Sequence, residues 1–206
     1  YFEVFAMIYK KTKLIIILLI TQLLFSYQVG DVINIIDQNK TFEICYNGEG
    51  EMKLADYNGD LNGGNYYVIL IDMSATWCGP CYSLIPHFDN LLDIWEGYPH
   101  FVGIVALSDL NQPYSCTQWG NLGTSGKPLI IDDSGYPMFN MFNTDNAFPS
   151  IVYIDHNMKL YYMEAGYSAS FSSFANNLIE EMVYNMENSL IMSSIFNSTI
   201  INGDTD

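Results

Sequence analysis

The chain contains no arginine, and only 7 lysines stand against 23 acidic residues, which gives its 206 residues a formal net charge of −16. Proteins that bind nucleic acid need clustered cations to neutralise phosphates, so this composition excludes nucleic acid as an expected partner. Histidine is also scarce, with three scattered residues, and only two of the four cysteines lie close together. A zinc site needs further ligands beside such a pair, so no metal centre is expected.

Half of the residues are hydrophobic, which suffices for the core of one domain of this length. The first 26 residues differ from the rest, because a basic segment (10–13) precedes a mostly apolar stretch (14–25). This pattern is typical of a signal peptide and is short for a membrane span. No small residue marks a cleavage site before Ser26, so an uncleaved signal anchor is the alternative. Met7 is a candidate for the true start of translation, with residues 1–6 upstream of it.

The two close cysteines, Cys78 and Cys81, lie in the segment WCGPC (77–81). The apolar run before it (66–73) predicts a strand buried on both faces, and the pattern after it (82–95) predicts a helix. Cys78 would then lie at a helix N-terminus, where free N–H groups and the helix dipole favour a thiolate. Because the thiolate is the species that attacks disulfides, we expect a redox-active pair.

Two other interpretations of the pair are weaker. A purely structural disulfide would close a very short loop and would therefore add little stability. A c-type haem would need histidine directly after the second cysteine, and Tyr82 stands there instead.

These residues resemble the thioredoxin superfamily, and the match extends beyond the cysteines. Asp72 lies six residues before Cys78, where thioredoxins carry a buried carboxylate. Pro86 lies five residues after Cys81, where the family's active-site helix has its proline. Pro149 precedes a predicted strand, as does the family's cis-proline beside the disulfide.

The spacing from Cys81 to Pro149 is longer than in plain thioredoxin, and it is more similar to the TlpA/ResA-like (redoxin-type) branch of extracytoplasmic thiol-disulfide oxidoreductases. This resemblance implies an α/β thioredoxin-like fold with a central mixed β-sheet flanked by helices. It further implies an N-terminal β-hairpin and an insertion between the active-site helix and the cis-proline strand. The expected domain covers residues 29–187, followed by a polar tail (188–206).

The local patterns agree with that outline. Two β-branched or apolar runs (30–36 and 41–45) predict the hairpin. The last helix is expected from Ser170 to about Met186, and the tail beyond it could be an extra helix or a disordered end. Cys45 and Cys116, the latter in the insertion, could pair, stay free or act as extra redox thiols, since four cysteines allow three full pairings.

The resemblance implies that Cys78 attacks a substrate disulfide and that Cys81 resolves the mixed disulfide. Asp72 is expected to take the proton of Cys81; the alternative is that it only caps the turn after its strand. The residues expected to contact the substrate are Trp77, Gly79, Pro80, Phe148 and Pro149. Phe148 departs from the small or β-branched residue that is common at its position.

The expected function is therefore thiol-disulfide exchange on exported proteins, by an extracytoplasmic and monomeric enzyme. It uses a redox-active disulfide, needs no other cofactor, and works with an electron donor or acceptor that the sequence does not identify. Its only contact with a membrane would be an uncleaved anchor. Two other classes remain open: a redoxin-type thiol peroxidase and an envelope binding protein with an inert disulfide. The direction of electron flow is open as well. The Gly79-Pro80 pair resembles the motif of thioredoxin itself, which favours a reductant.

Overall fold

The computed structural model describes residues 26–124, 128–168 and 170–202, with side chains described as far as Phe196. The predicted targeting segment lies outside the described residues, apart from Ser26. In the part of the chain that the structure describes, no helix is long and apolar enough to cross a membrane.

A seven-stranded mixed sheet forms the centre of the molecule. In chain order the elements are α1 (Ile35–Gln38), β1 (Phe42–Tyr46), β2 (Glu51–Met52), a 3-10 helix (Leu54–Tyr57), β3 (Val68–Ala75), α2 (Gly79–Ile94), β4 (Phe101–Ser108), α3 (Cys116–Gly120), β5 (Leu129–Asp132), α4 (Pro137–Phe142), β6 (Ser150–Ile154), β7 (Leu160–Ala165) and α5 (Phe171–Asn202). The strand order is β2-β1-β5-β4-β3-β6-β7. Strands β3, β4 and β5 run parallel, and the other pairs are antiparallel. The predicted fold class is confirmed.

Strand β3 is buried along all eight of its residues, as its continuous apolar sequence predicts. Its side chains alternate between two separate cores, because successive residues of a strand point to opposite faces. Val68 and Leu70 pack with α2, α3 and α5 on one face, whereas Ile69 and Ile71 pack with α4 and the N-terminal segment on the other. The sheet is therefore covered on both sides.

The N-terminal hairpin is formed by later residues of the chain than predicted. Within the segment 30–36, Val32 makes only an isolated bridge to Lys159, and the chain then turns into α1. The cause is Asn34, whose side-chain oxygen accepts hydrogen bonds from Ile36 N (2.9 Å) and Asp37 N (3.0 Å) and so caps a helix. The hairpin is instead formed by β1 and β2.

The insertion contributes α3, β5 and α4. Helix α4 begins after buried Asp133, whose carboxylate accepts hydrogen bonds from Met138 N (2.7 Å) and Phe139 N (3.1 Å). These bonds satisfy N–H groups that the first turn of a helix leaves free. Burial raises the pKa of Asp133 to about 6, although the same hydrogen bonds oppose the shift.

Helix α5 is longer than the sequence pattern suggested, since it continues past Met186 to Asn202. No glycine or proline occurs between Phe171 and Asn202, so nothing in that sequence breaks the helix. The predicted tail is thus helical as far as its backbone is described, and it adds about four turns to α5. Its exposed apolar residues are Leu190, Ile191, Met192, Ile195 and Phe196.

Cys45 and Cys116 form a disulfide, which resolves the alternatives that the sequence left open. Their Cα atoms are 6.0 Å apart, and the bond joins residues separated by 71 positions. It ties β1 near the sheet edge to the first residue of α3 in the insertion. A cross-link across so long a loop removes many conformations from the unfolded chain.

We predict that the double variant Cys45→Ala/Cys116→Ala lowers the free energy of unfolding by about 2–4 kcal/mol, because the 71-residue separation is no longer bridged. Urea denaturation of the oxidised proteins measures this. The matched control is Cys78→Ala/Cys81→Ala, which opens a loop of sequence separation 3 and should lose clearly less. Equal losses in the two variants would contradict the prediction.

Candidate active site

Cys78 and Cys81 are joined by a disulfide at the point where β3 leads into α2. Cys78 is the N-cap residue of the helix, and its Sγ accepts a hydrogen bond from Cys81 N at 3.1 Å. Cys78 keeps 4% of its surface exposed, whereas Cys81 is completely buried. An attacking sulfur must reach a substrate, so this difference agrees with the prediction that Cys78 is the nucleophile and Cys81 the resolving cysteine.

The surroundings of Cys78 favour a thiolate. It lies at the N-terminus of a 16-residue helix, where the dipole is positive and the N–H of Cys81 already points at the sulfur. Gly79 and Pro80 form the first turn and are both exposed. Because both residues are small, they leave this side of the disulfide open to a partner. Pro80 leaves no helical hydrogen bond unmade there, because the first-turn N–H groups have no partner inside the helix.

Asp72 lies on β3, and the alternation of the strand directs its side chain to the face of the sheet that carries α2. The core on this face also contains Cys81. The Ser74 hydroxyl lies 2.9 Å from Asp72 Oδ1 and 2.8 Å from Oδ2, and it donates its one proton to this carboxylate. Burial raises the pKa of Asp72 to about 7, and the Ser74 hydrogen bond offsets the effect only in part. Asp72 is thus buried on the side of the sheet that carries Cys81, and its part in proton transfer stays a prediction.

A narrow cavity opens beside Asp72 between α2, β4, α3 and β5. Its volume is about 10 Å³, close to the least that holds one water molecule. Its lining residues are Asp72, Ile85, Phe88, Asp89, Val105, Trp119, Gly120, Pro128 and Ile130. The cavity therefore has room for about one water beside the Asp72 carboxyl group, and neither Cys78 nor Cys81 is among its lining residues.

An aromatic group borders the exposed side of the disulfide. Trp77 is 57% exposed and makes an edge-to-face contact with Phe148, with ring centroids 5.8 Å apart. Phe148 in turn stacks on Phe139 of α4 at 4.1 Å. The contact between Trp77 and Phe148 brings the loop of Pro149 next to the WCGPC segment, as the sequence predicted.

Asp109 fixes this aromatic group from the other side. Its two carboxylate oxygens accept hydrogen bonds from Trp77 Nε1 and from the Tyr136 hydroxyl, both at 2.6 Å. Its backbone carbonyl accepts a further hydrogen bond from the Thr76 hydroxyl. One carboxylate therefore connects the WCGPC segment to the insertion.

The peptide bond between Phe148 and Pro149 is cis. Pro149 is buried, and its carbonyl accepts a hydrogen bond from Gly166 N at 2.7 Å, which anchors the loop to the end of β7. Within the described chain, the backbone of Phe148 makes no hydrogen bond of its own. Its N–H and C=O can therefore pair with an extended segment of a partner.

Comparisons with known proteins agree with this geometry. No family model matches the chain. A curated thioredoxin from Gallus gallus is 42% identical over 40 residues, which is 19% of this chain and 38% of that protein. One from Ophiophagus hannah is 37% identical over 51 residues, or 25% of this chain and 46% of that protein. The chain thus spans less than half of the length of these curated relatives.

Solved structures match over much more of the chain. The secreted thiol-disulfide isomerase of Corynebacterium glutamicum superposes with a TM-score of 0.58 at 11% identity, over 77% of this chain and 97% of that one. The dsbF protein of MTB gives 0.56 at 11% identity, over 71% and 96%. A thiol:disulfide interchange protein of Chlorobium tepidum TLS gives 0.55 at 13% identity, over 77% and 98%.

The fold is thioredoxin-like. Within this thioredoxin-like frame, the predicted residues lie where the resemblance placed them: Cys78, Cys81, Trp77, Gly79 and Pro80 at the start of α2, with the Phe148-Pro149 loop beside them. Their roles in exchange remain predictions. The neighbouring structures carry the names of disulfide interchange proteins, which agrees with the TlpA/ResA-like resemblance at the level of fold.

Sequence reasoning missed Asp109 and Tyr136. A signal for Asp109 was present, because it follows the apolar run that forms β4, and the carboxyl ends of parallel strands meet at one edge of a sheet. That rule would have placed it near Trp77. Tyr136 gave no comparable signal, since its distance from Asp109 depends on how the insertion folds back.

We predict that Asp72→Asn stabilises the protein at high pH. The pKa of Asp72 is about 7 in the folded protein against an ordinary value of 3.8. Between these two pH values the folded state keeps a proton on Asp72 that the unfolded state has lost. The resulting stability is fully present below about pH 4 and is lost as the pH rises through about 7. At about pH 8 the variant should exceed the wild type by about 2–4 kcal/mol in free energy of unfolding, and this gain should shrink toward pH 4.

Urea denaturation at several pH values between 4 and 8 measures this difference. Ser74→Ala is the matched control, because it removes the hydrogen bond that favours the charged form and should therefore destabilise the protein at high pH. A gain for Asp72→Asn that does not depend on pH would contradict the prediction.

Proposed function

We propose that this chain is a thiol-disulfide oxidoreductase that reduces or exchanges disulfides in exported proteins. The observation that carries the proposal is the Cys78–Cys81 disulfide at the N-terminus of α2, in which Cys78 keeps a small exposed fraction and Cys81 is completely buried on the Asp72 side of the sheet. An inert structural disulfide needs neither the helix terminus nor a buried acid that titrates near pH 7.

In the reducing direction, the Cys78 thiolate attacks one sulfur of a substrate disulfide. That S–S bond breaks, one substrate sulfur leaves as a thiolate, and a mixed disulfide with Cys78 forms. The Asp72 carboxylate then takes the proton of the Cys81 thiol through a water molecule. The Cys81 thiolate attacks Cys78 Sγ, and the second substrate sulfur leaves with the electron pair of the mixed disulfide.

Two electrons thus pass from the dithiol to the substrate, whose two thiolates take up the protons that Cys78 and Cys81 lost. A dithiol donor must afterwards reduce the Cys78–Cys81 disulfide, and the reverse sequence oxidises a substrate dithiol. The disulfide itself is the redox group, and the proposed chemistry needs no metal or organic cofactor.

Substrate binding is assigned to the exposed surface beside Cys78. An extended polypeptide segment pairs with the free backbone groups of Phe148, while its side chains contact Trp77, Gly79 and Pro80. Pro149 holds this loop in place. The partners are therefore disulfide-containing proteins, and the net charge of −16 makes nucleic acid an unsuitable one.

We assign the protein to an extracytoplasmic compartment and take it to act as a monomer. The two disulfides support the location, because disulfides persist in oxidising compartments. The neighbour from Corynebacterium glutamicum is described as secreted, which agrees. The proposal does not depend on whether residues 1–26 are a cleaved signal peptide or an anchor.

The thiol peroxidase alternative has no support in the geometry. The two hydroxyls that precede Cys78 most closely have other partners, since Ser74 donates to Asp72 and Thr76 donates to the Asp109 carbonyl. Cys78 is bonded to a cysteine three residues away on the same helix turn.

We predict that Cys78→Ser abolishes disulfide exchange, because the variant has no surface thiolate to attack the substrate. Cys81→Ser should retain the first step and accumulate the mixed disulfide, since the resolving thiol is missing. Incubation with a disulfide-containing protein, followed by non-reducing electrophoresis and mass spectrometry, distinguishes the two. Small and equal effects of both changes would refute the mechanism.

The direction of electron flow is tested by the reduction potential of the Cys78–Cys81 pair, measured at equilibrium with glutathione or dithiothreitol. The Gly79-Pro80 pair and the buried acid lead us to expect a strongly reducing value, close to the roughly −270 mV of thioredoxin. A value near or above about −200 mV would instead assign the protein to the oxidases or isomerases.

A further inference from the structure

The second disulfide joins two elements that contact each other at further points. Cys116 is the first residue of α3, is 8% exposed, and is bonded to Cys45 of β1. At the other end of α3, the Tyr46 ring lies directly on Gly120. A Cβ atom at Gly120 would come within 2.5 Å of that ring, so only glycine allows this approach.

The hydroxyl of Tyr46 adds a third contact, since it donates a hydrogen bond to Asn121 Oδ1 at 3.2 Å. Two adjacent residues of β1 therefore hold both ends of a helix only five residues long. We call this set of contacts, formed by Cys45, Tyr46, Cys116, Gly120 and Asn121, the β1–α3 clamp.

Helix α3 is one wall of the cavity beside Asp72. Trp119 and Gly120 line it on that side, opposite Ile85 and Phe88 of α2. Trp119 is 3% exposed and belongs to the same core as Cys81 and Cys116. If α3 moved away from the sheet, this wall would open and water would reach the carboxyl group of Asp72.

The groups that face Asp72 are few. On its own strand, Ser74 donates to it, and α2 contributes one charged residue to the cavity, buried Asp89, which has a partner of its own. The lining residues from β4, β5 and α3 are Val105, Ile130, Trp119 and Gly120, none of which titrates. Lys127, next to Pro128 in the sequence, lies outside the described residues. Exclusion of water by α3 is therefore a main determinant of the state of Asp72.

We propose that Cys45 and Cys116 are positioning residues for the exchange reaction: by clamping α3 against β1, their disulfide keeps the wall of the Asp72 cavity closed and so keeps Asp72 poised to exchange a proton with Cys81. This inference rests on the proposed function. Neither cysteine touches the substrate or takes part in electron transfer. Their disulfide acts through Trp119 and Gly120.

The test is the pH dependence of a single turnover. The protein is reduced at Cys78–Cys81 only, as checked by alkylation and mass spectrometry, and is then oxidised by excess oxidised glutathione between about pH 5 and 9, with tryptophan fluorescence as the signal. The wild-type rate should show an inflection near pH 7 that the Asp72→Asn variant lacks, because Asp72 changes charge there.

In Cys45→Ala/Cys116→Ala, hydration of Asp72 should move this inflection down by at least about one pH unit, since water stabilises the charged carboxylate. Ile33→Ala is the control for lost stability alone. Ile33 is buried in the core on the opposite face of the sheet, so that variant should lose stability and keep the inflection near pH 7.

A second variant guards against failure of the cysteine variant to fold. Tyr46→Ala keeps the disulfide but removes the ring from Gly120, and it should move the inflection in the same direction by a smaller amount. An inflection that stays at the wild-type pH in the folded clamp variants, but is absent in Asp72→Asn, overturns this inference alone. If Asp72→Asn keeps the inflection, the proton step of the proposed function fails and this inference fails with it.

Discussion

The burial of β3 on both faces is the constraint from which the rest of the site follows. A strand covered by two cores must be apolar throughout, and one charged residue within it, Asp72, loses its hydration. This burial raises its pKa, and the hydrogen bond from Ser74 on the same strand offsets the shift only in part. The sheet thus creates a proton acceptor near neutral pH from an ordinary aspartate.

The same strand also determines where the disulfide lies. Because β3 and β4 run parallel, their carboxyl ends meet at one edge, and Trp77 and Asp109 emerge there side by side. The chain turns into α2 at this edge, so the positive end of the helix, the disulfide and the aromatic group share one surface. The burial of Asp72 and the position of Cys78 at the helix N-terminus are two consequences of one strand running from the core to the edge of the sheet.

The electrostatics of this surface combine opposing effects. The helix N-terminus and the N–H of Cys81 favour a negative sulfur at Cys78, whereas the net charge of −16 disfavours it. Asp109 adds a nearby carboxylate, but both of its oxygens accept hydrogen bonds from aromatic side chains, which disperse part of its charge. The helix N-terminus and the Cys81 N–H act on the sulfur over a few ångströms and are less screened by salt than the distant surface charges, so their effect dominates at Cys78.

The sequence was sufficient for those parts of the molecule that depend on local pattern. The apolar run of β3 and the helix after WCGPC could be predicted, since each has a strong hydrophobic pattern, whereas the loop of Pro149 was placed by the resemblance to thioredoxins. The hairpin was misplaced because β-branched residues around Asn34 look like a strand, whereas one side-chain cap selects a helix. Pairings across the fold, such as Cys45 with Cys116 or Asp109 with Tyr136, have no local signature at all.

The insertion contributes side chains to two parts of the site, the surface beside the disulfide and the cavity beside Asp72. Its α4 supplies Phe139, on which Phe148 stacks next to the disulfide, and its α3 supplies Trp119 at the cavity of Asp72. Asp109 and the Cys45–Cys116 disulfide hold this insertion to the rest of the chain, in addition to the pairing of β5 with β1 and β4. A thioredoxin-like core without the insertion would keep the cysteines and the acid, but it would leave Asp72 with one wall fewer and Phe148 without its stacking partner. The insertion is therefore better understood as part of the active site than as an addition to its periphery.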